Sequence, residues 1–299
     1  MTDGAGAPEL GARSRVGEIA RAAFTASVGD LVAEDEALRS HADEDSVHRA
    51  RVAVRRLRSD LRTFLPLWDA AWACDLRERS RWLQDGFSAA RDGDVLMERL
   101  QRRCTELPEA DRRSAEAALQ PLRAERNAAY ERLRAMVGGP QYAALLRELA
   151  EAAARPPFTE SAAEPACDAI PAIVGGAWAT LRKRVRERSR PPADRELHRI
   201  RIAAKRLRYA VEAVVPAAGR RARRFARALE RLQTILGDQH DAVSARERLR
   251  QLGGDREAAF AAGALAALEH RAARAGRGAW RTAWRKAKRA RRRCGFSES

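Results

Sequence analysis

The sequence predicts an all-α protein, on three observations. Alanine, leucine, arginine and glutamate dominate while aromatic residues make up 5% of the chain, a composition that suits helices and poorly suits a sheet. Apolar residues recur at helical spacing through most segments. His48 to Arg58, HRARVAVRRLR, returns as HRIRIAAKRLR at His198 to Arg208 with seven of eleven positions identical. Copies held in register 150 residues apart read as an internal duplication, so two equivalent helical halves are expected.

About a dozen N-terminal residues are expected to be disordered. Ser14 to Arg39 then reads as a first helix, with Val16, Ile19, Ala20, Ala23, Val28, Leu31 and Leu38 near helical spacing. The acidic loop HADEDS follows, with Ser46 or Asp45 as N-cap of the motif helix, which runs to about Pro66. Trp68 to Ala90 is the next helix, and Arg91-Asp92-Gly93-Asp94 is expected to break it. Val95 opens another that stops before Pro108. An amphipathic segment from Glu109 to Val137 ends at Gly138-Gly139-Pro140, and a short helix from Gln141 to about Ala154 completes the first half.

Arg155 to Pro165, RPPFTESAAEP, lacks periodicity and reads as linker. The resulting division is a first half over 14–154, a linker over 155–167 and a second half over 168–294. Helices are expected over Asp168 to Arg188, Ala193 to Val215 and Ala217 to Leu236, then from a Gly237-Asp238 break to about Leu252, and from Gly253-Gly254 to about Ala273. Arg271 to Arg293 holds eleven Lys or Arg and no acid. Trp280 and Trp284, four apart, should dock that tail as a helix with a basic outer face.

A net charge of +17 and a pI near 11.1 give the surface a positive field that attracts polyanions and weakens with salt. Cys74, Cys104, Cys167 and Cys294 lie far apart without metal-ligand spacing, so reduced thiols are expected rather than a zinc site or disulfide framework. No apolar run approaches the roughly 18 residues of a membrane span, and the N-terminus lacks an apolar core like a signal peptide's. A soluble cytoplasmic protein is the expectation.

At about 100° per residue, His48, Arg51, Arg55, Arg58 and Arg62 share one helical face, beside an apolar stripe of Ala50, Val54, Leu57 and Leu61. The second copy sets His198, Arg201, Lys205 and Arg208 beside Ile200, Ala204, Leu207 and Val211. Its fifth position is Glu212, so the polyanion field should be weaker at that end. Like charges three and four apart repel by a few tenths of a kcal/mol per pair, so a sequence shaped only for stability would interleave glutamates. Two stripes repeated in register point to a ligand surface for an extended phosphate chain. Arg49, Arg56, Arg199 and Arg206 fall on another face, where they either reach the same ligand or pair with carboxylates of neighbouring helices.

The histidines, with Asp92 and Asp241 downstream, form a poor metal site because a cation among arginines is electrostatically disfavoured. A histidine hydrogen-bonded to Asp92 or Asp241 is the plain structural alternative. The His240-Asp241 dipeptide is similar to one in metal-dependent phosphohydrolases, whose other ligands have no place here. No GxxxxGK[ST], GxGxxG, GxSxG or HExxH occurs, so any phosphate binding must use side chains, and neither cofactor nor catalysis is expected.

The two motif helices, followed by ARDGDVLMERL and LGDQHDAV, resemble the CHAD family, the conserved histidine α-helical domain, from about Ser14 to Trp284. The resemblance implies two pseudo-symmetric four-helix-bundle-like halves with the motif helices lining a basic central groove or pore. It also implies binding of inorganic polyphosphate and association with cytoplasmic polyphosphate granules. The implied contacts are His48, Arg51, Arg55, Arg56 and Arg58, with His198, Arg201, Lys205, Arg206 and Arg208; the helical face adds Arg62. Asp92 and Asp241 match acidic positions that would brace the cations. Ser88 stands where the family's downstream motif often has glycine. Many relatives carry an N-terminal CYTH triphosphatase domain, but its ExExK signature is absent, so a stand-alone, non-hydrolytic member is expected. The competing readings are a nucleic-acid-associated basic protein, which would need a reader motif or aromatic platform, and a metal-dependent regulator of phosphate compounds.

Overall fold

The computed structural model describes residues 10–296, and these form helices with no β-strand among them. The expected disorder of the first dozen residues falls mostly on 1–9, outside the described residues. Helix α1 (Val16–Ala33) is followed by the short α2 (Asp35–Ser40), so the expected single first helix is interrupted at Glu34. Motif helix α3 (Glu44–Thr63) starts earlier than expected because Asp43 is its N-cap, its carboxylate accepting from the Ser46 N–H at 2.7 Å. Asp69 does the same for α4 (Ala70–Cys104), accepting from Trp72 N–H at 2.8 Å.

Helix α4 runs unbroken through Arg91-Asp92-Gly93-Asp94, which overturns the expected break. Without proline the segment can stay helical, and Gly93 serves contact instead. A Cβ there would meet the Cβ and Cγ of Arg126 at 3.2 Å, so glycine is what lets α6 approach α4. The expected long segment after Pro108 is split at Leu119 into α5 (Glu109–Ala118) and α6 (Gln120–Gly138), and α7 (Pro140–Ala154) follows. Residues 155–165 are non-helical apart from a single 3-10 turn, Glu160–Ala163. They are pinned at both ends: Asp69 N–H donates to the Pro157 carbonyl and Val16 N–H to that of Glu164, both at 2.9 Å. Phe158 stacks on Trp68 at 4.8 Å.

Helix α8 (Ala166–Arg186) leads to α9 (Asp194–Arg250), whose two arms meet at Pro216 and Gly219. Gly219 has φ 70 and ψ -157, a conformation side chains disfavour, and the chain turns there. The break expected at Gly237-Asp238 is absent. Helix α10 (Arg256–Arg292) carries the basic tail up to its C-cap, Arg293; Trp280 is fully buried and Trp284 stacks on Trp178 at 5.3 Å. Burial of a tryptophan of this kind is worth about 3–5 kcal/mol against alanine.

Helix α3 packs on α1 and α4 and touches α9, while α9 lies between α8 and α10. The large core joins Phe24, Leu57, Phe87 and Leu133 to Trp178, Leu207, Phe225 and Trp280. A smaller core joins Leu100 and Leu119 to Leu249 and Leu265. Both cores therefore draw on residues from either side of the 155–165 connector.

Candidate functional site

The apolar stripes anchor the two motif helices. Ala50, Val54, Leu57 and Leu61 on α3 and Ile200, Ala204, Leu207 and Val211 on α9 are all buried. That burial turns the basic faces of the two helices toward a shared space. A cleft of about 240 Å³ is lined by Arg51, Arg55, Arg58 and Arg62 from α3 and by Arg201, Lys205 and Arg206 from α9. A second cavity, of about 570 Å³, lies against α4, α6 and the second arm of α9. Arg51, Arg201 and Lys205 line both, so the two cavities meet at a cationic neck.

Electrostatics at the neck are strained. Burial first, and then Arg55, Arg51, Arg201 and Arg208, push the Lys205 ammonium down to about 6. Burial likewise lowers Arg55, against an opposing pull from Tyr209 and with the help of Arg51 and Arg208. The Nε atoms of Arg55 and Arg201 are buried without a hydrogen-bond acceptor among the described residues. The Tyr209 ring lies 5.3 Å from the Arg55 guanidinium and 4.9 Å from that of Arg208.

Asp92 braces Arg51, accepting from its Nη2 at 2.8 Å while Ser88 Oγ accepts from its Nε at 3.3 Å. Asp241 lines the larger cavity near Arg201 and Arg99; burial raises its carboxyl above the ordinary range, against the pull of those two cations. Arg58 donates to the Arg77 carbonyl. Arg208 is engaged by Glu212 at 3.4 Å and Glu230 at 3.2 Å, and it lines neither cavity. Glu212 thus pairs with a cation of its own helix.

Arg56 turns away to Asp30 on α1 at 3.7 Å, as Arg49 does to Glu34 through two bonds of 2.6 and 2.9 Å. Arg206 lines the cleft, whereas Arg199 sits in a separate pocket with Glu187 and Glu196. Neither His48 nor His198 lines the two cavities. The His198 ring lies 4.4 Å from that of His240, and its buried Nδ1 has no partner among the described residues, so no carboxylate holds it. Burial, then Arg201 and His198, drive His240 down to about 4, so it is neutral at pH 7.

His240, Arg99, Arg126, Arg132 and Arg248 also line the larger cavity, and sequence reasoning did not assign them to the site. Arg99 is held by Glu269 at 2.7 Å, Arg126 by Asp94 at 2.7 Å, and Arg248 by Glu125. Only His240 had a sequence signal, the histidine-aspartate dipeptide. Among the described residues no group of three His, Cys, Asp or Glu side chains gathers as a metal site, and no helix is long and apolar enough to cross a membrane.

An all-helical bundle with converging guanidinium and ammonium groups at a buried neck defines the class. A family model described as the CHAD domain matches residues 22–250, and the chain belongs to the CHAD family. Two uncharacterised proteins of Mycobacterium tuberculosis are 32% and 31% identical over 242 residues. Those matches cover 77% of this chain and 44% of the relatives, so the chain spans less than half of their length. Among solved structures, the CHAD domain from the plant Ricinus communis superposes with a TM-score of 0.67 at 28% identity, covering 93% of this chain and 97% of that one. PptA from Streptomyces chartreusis superposes with a TM-score of 0.77 at 21% identity, over 91% and 100% respectively.

Proposed function

We propose that the cleft binds inorganic polyphosphate without hydrolysing it, and that this attaches the protein to polyphosphate granules. The observation that carries the reading is the neck, where Arg51, Arg55 and Arg201 surround Lys205 and two guanidinium Nε donors lack acceptors. An inorganic phosphate chain brings charge and acceptor oxygens at short intervals and no bulky bases. It would satisfy these donors, offset the mutual repulsion and release counterions. Arg51 is pre-oriented by Asp92, which reduces the ordering cost of binding. The converging cations and unsatisfied Nε donors support a binding role.

The test is a comparison of long-chain polyphosphate with DNA, at matched phosphate concentration and near-physiological salt. Tighter binding of polyphosphate, weakened by Arg51→Ala with Arg55→Ala, is expected. Equal affinity for both polymers removes the specificity, and unchanged binding in the double variant removes the site. Steady phosphate release from polyphosphate by the pure protein with a divalent metal would overturn the non-enzymatic reading.

A further inference from the structure

The exposed face where α9 and α10 run side by side carries a second cationic groove, of about 710 Å³. Arg221, Arg224 and Arg231 line it from α9; Lys286, Arg289 and Arg292 line it from α10, and Arg293 from the C-cap of that helix. Every one of these seven side chains belongs to an exposed residue, and no acidic residue lines the groove. Some arginines elsewhere are matched, such as Arg79 by Glu148 and Asp75, Arg103 by Glu269 and Glu106, and Arg277 by Asp194. Among the described residues none of the seven makes a side-chain ion pair.

The arrangement has a built register. Positions 221, 224, 228 and 231 share one face of α9, with Ala228 buried between the cations, and 286, 289 and 290 share one face of α10, with the C-cap Arg293 following on. Cys294 donates to the Arg221 carbonyl at 3.1 Å, which fixes the two helices against each other at that end. The α9 row spans about 15 Å at the helical rise. Two facing rows of like charge repel unless an anion lies between them. The remaining lining is Ala228, Ala290 and Gly295, with no aromatic platform on which a nucleobase could stack.

We infer that the groove between α9 and α10 is a second phosphate-polymer site, separate from the central cleft, with inorganic polyphosphate rather than single-stranded nucleic acid as its ligand. The choice of ligand rests on the function proposed above; the existence of the groove does not. Two sites on one molecule let it hold two segments of a long chain, or bridge two chains, with gain from effective concentration. No contact between the sites is needed for that.

The experiment compares the wild-type chain with Arg224→Gln/Arg231→Gln/Arg289→Gln, exposed substitutions that keep good helix formers and leave the central cleft intact. Unchanged helicity and melting temperature control for folding. Long-chain polyphosphate binding is measured as stoichiometry and as the slope of log affinity against log salt. The variant should bind fewer phosphate segments per protein, flatten the slope by about 2 for three lost cations, and lose the light scattering produced by chain bridging. Wild-type stoichiometry and slope in the variant would overturn the second site while leaving the central one standing. A wild-type protein that binds no polyphosphate would overturn both. Displacement of polyphosphate from the groove by an equal phosphate concentration of oligothymidylate, in an Arg51→Gln/Arg201→Gln background, would overturn the choice of ligand.

Discussion

Arg51 is held by Asp92 at 2.8 Å and by Ser88 at 3.3 Å, whereas Arg201, which lines the same neck from α9, has Gly237 beside it and a bare Nε. A Cβ at Gly237 would meet only that Nε, at 3.9 Å. Gly237→Ser should therefore place a hydroxyl where Arg201 can donate to it and replace a helix-interior glycine. The expected gain is about 1 kcal/mol, or a ~2 °C rise in melting temperature. A variant no more stable than wild type would show that a hydroxyl at 237 does not brace Arg201 as Ser88 braces Arg51.

Cations at the neck should matter far more than those on the rim. Arg51→Ala and Arg201→Ala are each expected to weaken polyphosphate binding by about 10-fold or more, the range for charge-assisted hydrogen bonds of roughly 1.5–3 kcal/mol. Arg56→Ala, which breaks only the exposed pair with Asp30, should change affinity less than about 3-fold. Isothermal titration at fixed salt checks the ranking.

Lys205 couples binding to protons. With its ammonium at about 6, the free protein carries it mostly neutral at pH 7, and an incoming polyanion should draw a proton onto it. Titrations in buffers of different ionisation enthalpy should show net proton uptake at pH 7, reduced in Lys205→Met. A lysine depressed in the fold costs stability below 6, a cost relieved as pH rises toward its ordinary value of 10.5. Lys205→Met should therefore stabilise the free protein at pH 7 by about 1–2 kcal/mol while weakening polymer binding.

Asp60 has the opposite sign. It is buried on α3, accepts from Ser27 Oγ at 2.7 Å, and is raised to about 7, chiefly by burial. The folded state then holds a proton that the unfolded state loses above 3.8, so this residue's contribution to stability falls as pH climbs from 3.8 to 7. The stability difference between Asp60→Asn and wild type should grow over that window, by roughly a few kcal/mol at most, and level off above it. Chemical denaturation at pH 4, 6 and 8 measures it; a difference independent of pH would contradict the assignment.

Periodicity made the anchoring of the site legible. The stripe from Ala50 to Leu61 and its counterpart from Ile200 to Val211 are buried as their spacing requires. Spacing is silent about what lies across from a face, and so the turn of Arg56 to Asp30 on α1 and of Arg49 to Glu34 at its C-cap had to be seen. Glycine misled at Gly93 because the same residue type stops a helix or lets another approach it, and only the neighbour, Arg126, decides. Arg126 and Arg132 reach the larger cavity from α6 as isolated cations with no local pattern to mark them.

Helix α10 seals both cores, with Ala261 and Leu265 in the smaller one and Trp280, Ala283 and Ala287 in the larger. Its Glu269 closes on Arg99 and Arg103 across 170 and 166 residues of chain. Such closures come late, because loop entropy must be met before the contact stabilises anything. On the ribosome, the earlier helices would wait with open apolar faces until α10 emerges. Completion of both cores therefore depends on the last helix to be made.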